Sequence, residues 1–517
     1  MVPFHHGLIL KFGFVIFLQI LLFPQLSYQQ NMGSTWIIGF DNNQISDPKF
    51  GMTTLDFSEQ PLKQTYMHNE YHASSGFINT SISEIKGKIL LFTDGLNIYG
   101  RNLDIIENGE ELNPGEVRND FSSAFYPVAY NHILLPRPGY DDQYVLFHFS
   151  VSYNRDPGDQ IRSVVADKFL LTSIYKDKLL DDFKVGEKNN LILAGNFNNS
   201  HLAYCRHANG RDWWLVFEKY NSNKHYIYLL DPSGIKLYAE QEIGIIGGKY
   251  DWSGNSIFSP DGTMYIKYCF DYGIQLFNFD RCSGSLSNSI QLKTYVNPEL
   301  KEASIAVSSN SRFLYINDYT RIWQYDLDQI NVPGFIDTIG FWDGYFIKDV
   351  LTTGFYQMAL ADDGKIYLSC HSGNIYLHCI DKPNEKGLAS DFKLRNIILE
   401  CWMAGGLPIM PNYQLGPVNN SVCDSLSYLA KHDWTNTFKI YPNPTTDEIY
   451  FSNADTTLFP DLIIDIYDGL GKKVKSQTLQ TSTSQLPISL IDLPAALYFM
   501  HVSDYKGRTV NRKIVKL

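Results

Sequence analysis

The chain has 517 residues, 44% of them hydrophobic and 19% charged, and a formal net charge of -12. That length calls for two or three domains, and that composition excludes a disordered chain. The acidic balance excludes the basic field a nucleic-acid binder needs, and 34 Tyr with 32 Phe favour strands, where flat rings pack on a pleated surface.

Phe12 to Leu26 is one apolar run, preceded by Lys11. It is short for a membrane span, so residues 1–28 read as a signal peptide presented to the Sec translocon. Leu26-Ser27-Tyr28-Gln29 lacks the small-residue cleavage pattern, which keeps a retained anchor as the alternative.

From 29 to 411 one pattern recurs: a turn, an aromatic-rich strand, a second turn, and a strand ending in Asp. His207-Ala208-Asn209-Gly210 leads through Trp213-Trp214-Leu215-Val216-Phe217 to Asp231. Ser259-Pro260-Asp261-Gly262 leads to Asp280, Ser308-Ser309-Asn310-Ser311 to Asp326, and Ala361-Asp362-Asp363-Gly364 to Asp381. The closing aspartates are 49, 46 and 55 residues apart. Several short strands at that period predict an all-β fold, a β-propeller of about seven blades. Looser copies start at Gly87 and Tyr144. The N-terminal strands Trp36–Phe40 and Met52–Phe57 predict a last blade completed by both chain ends.

The phrases Leu90-Leu91-Phe92-Thr93-Asp94-Gly95, Arg206-His207-Ala208-Asn209-Gly210-Arg211-Asp212-Trp213-Trp214, Phe279-Asp280-Arg281-Cys282-Ser283-Gly284 and Pro411-Asn412-Tyr413-Gln414-Leu415-Gly416 resemble a family of large exported propeller proteins. The resemblance covers nearly all of 30–425. It implies a WD40/YVTN-like propeller and carries no assigned reaction.

Seven cysteines at irregular spacing, with no CxxC, argue against a structural zinc site; in an exported chain some of them are expected to pair. His201, Cys205 and His207 share one parity on an expected inner strand, so they could hold a soft divalent metal; ordinary packed strand residues are the favoured reading, and no cofactor is expected. His207, Arg211, Asp212 and Trp213 form the candidate ligand site, because Arg and Trp anchor binding sites; a structural hairpin with Trp213 and Trp214 in the core is again favoured. The aspartate pairs at 326/328 and 362/363 lack the calcium-loop order and read as turn residues. No G-x-S-x-G, H-E-x-x-H, P-loop or G-x-G-x-x-G pattern is present.

Residues 412–436 read as a linker. Residues 437–517 then alternate apolar and polar in about seven short runs, which predicts a small Ig-like β-sandwich. Its start, Tyr441-Pro442-Asn443-Pro444, and its end, Leu497-Tyr498-Phe499 and Lys513-Ile514-Val515-Lys516-Leu517, resemble the C-terminal sorting domain of type IX secretion cargo. Ala495-Ala496 stand where that family usually has Gly. The resemblance implies passage through the periplasm to the cell surface or medium, with the type IX machinery as partner. The basic residues Lys506, Arg508, Arg512, Lys513 and Lys516 suit an acidic docking surface or a solvated strand edge.

Two functions follow. One is a binding or scaffold module meeting a surface glycan or an envelope protein. The other is an extracellular hydrolase or lyase with its site at the channel mouth. A structural surface-layer component is the third reading.

Overall fold

The computed structural model describes residues 32–40, 49–67, 73, 75–84, 87–122, 126–154, 164–177, 181–248, 254–297, 303–330, 332, 334–348, 350–408, 410–423, 438–453, 462–469, 471–479, 485–504 and 509–517. The expected signal peptide, the part of the expected linker beyond 423, and Lys506 and Arg508 lie outside them.

Among the described residues, seven antiparallel sheets of three or more strands follow one another along the first four hundred residues, at 35–67, 80–99, 132–197, 203–242, 256–292, 304–341 and 355–403, with a two-stranded hairpin at 346–352 between the last two. They are the blades of a propeller. The last four are four-stranded, the third has five strands, and the first two have three each.

Strand parity explains why the blades stack. Side chains alternate between the two faces of a strand. In Trp213–Glu218, Trp213, Leu215 and Phe217 pack towards the third blade, whereas Trp214 and Val216 pack towards the fifth. In Met264–Cys269, Tyr265 faces the fourth blade and Ile266 and Tyr268 face the sixth. Each blade is apolar on both faces, so only a neighbour on each side can cover it. Ring pairs such as Phe169–Phe217, with centroids 4.6 Å apart, fill these interfaces.

Ring closure departs from the expectation. The first blade is built from Thr35–Phe40, Gly51–Asp56 and Lys63–Met67, and among the described residues no C-terminal strand joins it. The seventh blade packs against it instead, through Trp36, Phe57 and Tyr367 and a bond from Trp402 N to Lys49 O of 2.8 Å. Residues 410–415 do not serve as a shared strand because they lie over the cavity at the channel mouth.

The recurring turn is one structure repeated. Gly210, Gly262, Ser311 and Gly364 donate to the carbonyls of His207, Ser259, Ser308 and Ala361 at 2.8–3.0 Å. All four have positive φ, between 62° and 79°. The residue before each, Asn209, Asp261, Asn310 or Asp363, accepts the backbone N–H two positions on. That is why Asn, Asp and Gly recur there.

The tail forms two facing sheets, of three and four strands, around Ile449, Ile464, Ile488, Met500, Val502 and Ile514.

Candidate functional site

The inner strands of the fourth to seventh blades surround a cavity of about 330 Å³ at the end of the channel that carries the recurring turns. Its wall comes from 203–206, 256–260, 305–307 and 358–362, and 410–415 form its roof. Ala203, Ile305, Ala306, Val307, Met358 and Ala359 make the wall mostly apolar. Ser309, Asp362, Asn412 and Gln414 stand exposed at the rim.

The roof is a strap held from below. Arg206 lies 3.9 Å over the Trp213 ring and donates to Arg211 O at 2.8 Å and Tyr413 O at 3.4 Å. Arg281 donates to Arg206 O at 2.9 Å and Gly416 O at 2.6 Å. Asn412 donates to Pro260 O, and buried Tyr413 donates its hydroxyl to Leu134 O at 3.0 Å. Val418 N bonds Ala208 O, and the disulfide Cys282–Cys423 ties the end of the strap to the fifth blade. Residues 412–423, expected as linker, are therefore packed on the propeller. Burial lowers the Arg206 guanidinium to about 10. Guanidiniums can stay charged here because backbone carbonyls and a ring face take the place of water.

The sequence-predicted residues fall at this clasp. Arg211 and Asp212 bond each other, Nε to Oδ1 at 2.7 Å, and Asn209 Nδ2 donates to Asp212 Oδ2 at 2.7 Å. His207 accepts from Asn209 N and lies against Trp214, with ring centroids 5.2 Å apart. Trp213 is fully buried and meets Tyr413 edge-on. The structure thus brings His207, Arg211 and Asp212 together and buries Trp213. The His201, Cys205, His207 row does not converge on a metal: among the described residues no group of three His, Cys, Asp or Glu could hold one. Cys205 faces the fifth blade, and burial pushes its thiol up to about 12, so it keeps its proton. His201 Nδ1 lies 2.5 Å from Ser256 Oγ.

Two features went unread in the sequence. One is Asp362, noted there only as a turn residue. It reaches solvent at the rim, yet the concave wall desolvates its carboxyl, which with Asp363 beside it is pushed up to about 6. The other is a buried ionic group between the fourth and fifth blades. Lys267 Nζ bonds Glu218 Oε1, and His225 Nε2 lies 2.5 Å from the same oxygen. Burial raises the Glu218 carboxyl, but Lys267 and His225 outweigh it and hold it well below the usual range.

In the tail, Asn443 clasps the last strand from both sides. Its Nδ2 donates to Lys513 O at 2.6 Å, and its Oδ1 accepts from Val515 N at 2.9 Å. Thr445 N donates to Val515 O, and Tyr441 stacks on Tyr450. The two ends that carry the resemblance are therefore one structural unit, and residues 439–516 match the family described as a secretion system C-terminal sorting domain. The tail is a type IX sorting domain. The protein is exported to the outer surface or the medium, and this domain engages the type IX secretion machinery. Within the sorting domain, Ala495 and Ala496 lie outside the positive-φ region, so the missing glycine strains nothing. Lys516 is buried, its ammonium bonded to Leu493 O, and so is withdrawn from the basic end expected to dock.

The propeller is similar to solved structures of low identity. A functionally unknown protein from Desulfotomaculum acetoxidans is 11% identical over 72% of this chain and 99% of its own, with a TM-score of 0.35. A periplasmic gluconolactonase of Pseudomonas aeruginosa is 12% identical over 72% and 96%, at 0.32. A catalytically inactive virginiamycin B lyase from Staphylococcus aureus is 11% identical over 65% and 92%, at 0.34. A comparison with curated proteins finds no match.

Proposed function

We propose that the protein is an exported binding module whose propeller takes a ligand at the strapped mouth of its channel, with the sorting domain serving only delivery. The observation that carries this is the cavity: about 330 Å³, apolar along its wall and polar at its rim. Small-ligand sites have that size and that division of surface. The hydrolase or lyase reading needs acid–base groups converging on one point. Among the described residues of the wall, Asp362 is the one carboxylate and there is no histidine. The cavity suits a small molecule or a single side chain of an envelope protein better than a surface glycan lying flat.

The test is a thermal-shift series on the full chain with glycans, peptides and small apolar molecules. A ligand at a hundred times its Kd adds about 2.7 kcal/mol, several degrees for a domain of this size. A rise is expected with small ligands, and it should vanish in Ser309→Trp, which lays a ring across the rim. An unmoved melting temperature across every class would overturn the reading.

A further inference from the structure

The wall of the cavity states the charge of its ligand, if the mouth is the ligand site proposed above. The other repeat acids near this end are matched. Asp326 is held by Arg312, Asp381 by Lys365 and Lys393, and Asp212 by Arg211. Asp363, next in sequence to Asp362, accepts the Tyr367 hydroxyl at 2.8 Å. Asp362 has no comparable partner among the described residues, and it lines the cavity.

The charged and titratable groups around it do not neutralise it. Asp363 repels it, and the Tyr413 hydroxyl is committed to Leu134 O. Lys365 turns to Asp381 at 2.5 Å. Arg206 contributes to the wall, but its guanidinium is spread on Trp213 and two carbonyls. A carboxylate at the rim of an apolar hollow, with no cation of its own, favours a ligand that brings one.

We propose that the mouth binds an organic cation: a protonated amine on an apolar body of a few carbons, the ammonium beside Asp362 and the body against Ala306, Met358 and Leu415. The volume, worth roughly ten waters, has room for such a body. The amine could belong to a free small molecule or to a lysine side chain of a polypeptide. The chemistry is shared, and the two are separable by experiment.

The raised Asp362 carboxyl gives the inference a pH signature. Above about 6 the group is ionised and attracts an ammonium; below it, the group is neutral and does not. Calorimetry on the full chain would use hexylamine, 1-hexanol, hexanoate and Nα-acetyl-lysine amide. At pH 7.5 hexylamine should bind about tenfold tighter than hexanol, with hexanoate weakest, and its affinity should fall about tenfold by pH 5. Asp362→Asn should erase the preference and the pH dependence, with its fold checked by circular dichroism. Acetyl-lysine amide matching hexylamine would assign the site to polypeptide lysines, and hexylamine binding alone would assign it to free amines. Equal binding of hexylamine and hexanol, or a preference that survives Asp362→Asn, overturns the amine inference and leaves the ligand site standing. Binding by none of the four overturns the inference. A flat thermal-shift series as well removes the ligand site with it.

Discussion

A single missing Cβ holds the turn at Gly262 against the clasp. Its φ is 72°, and a Cβ there would lie 2.7 Å from Cys205 Sγ and Arg281 Cδ and 3.0 Å from Leu415. Those atoms belong to the strand, the arginine and the strap that shape the mouth. The left-handed backbone would cost alanine about 1 kcal/mol. Overpacking against three fixed neighbours adds about 1–3 kcal/mol. Gly262→Ala is therefore expected to lose about 2–4 kcal/mol in urea unfolding; a loss below about 0.5 kcal/mol would show that the clasp yields freely. Asp261-Gly262 is readable in sequence as a turn. That the glycine also serves the packing is not, because Arg281 and Leu415 reach it from far along the chain. The same holds for the candidate ligand residues Arg211 and Trp213: Arg211 pairs with Asp212, and the Trp213 ring packs against Arg206 and Tyr413, contacts that their residue types do not announce.

Between strands, parity says more than composition. Glu218 shares a face with Trp214 and Val216, and Lys267 shares one with Tyr265, so alternation alone points the two charges at each other across the interface of the fourth and fifth blades. Both are fully buried. Removing Lys267 leaves Glu218 with His225, and breaking such a buried pair costs about 3–5 kcal/mol, whereas replacing both ions with apolar groups is often neutral. Lys267→Met should destabilise the chain by that amount in chemical unfolding, and Glu218→Leu combined with Lys267→Met should recover most of it. If the double variant were as unstable as the single, the group would be supporting something other than itself. The ion pair also sets a pH limit. Glu218 is held below its unfolded value, so its contribution is complete above about 4.5 and is lost as pH falls further. The last four blades were legible in this way because each repeats its turn and its alternation. The closure was not: nothing local in 403–418 distinguishes a shared outer strand from a strap, and only contacts to residues two hundred positions away decide it.

At the scale of the whole chain, the strap separates shape from address. Three phrases far apart in sequence, Arg206–Trp214, Phe279–Gly284 and Pro411–Gly416, meet at one clasp, and the disulfide at Cys423 ends it. Everything needed to roof the mouth is therefore in place by residue 423. The sorting domain has its own core, around Ile464, Met500 and Ile514, and its own lock, in which Asn443 holds the last strand. A chain ending at Trp434 keeps the first set complete and removes the second. It should fold, resist protease as the full propeller does, and accumulate in the periplasm. Cell fractionation with a protease challenge reads both properties at once. A folded product in the medium would show that export does not depend on the tail. An unfolded product would show that the propeller is not finished at Cys423. A protease-resistant product confined to the periplasm is what a strap belonging to the propeller, and a tail belonging to the secretion machinery, require.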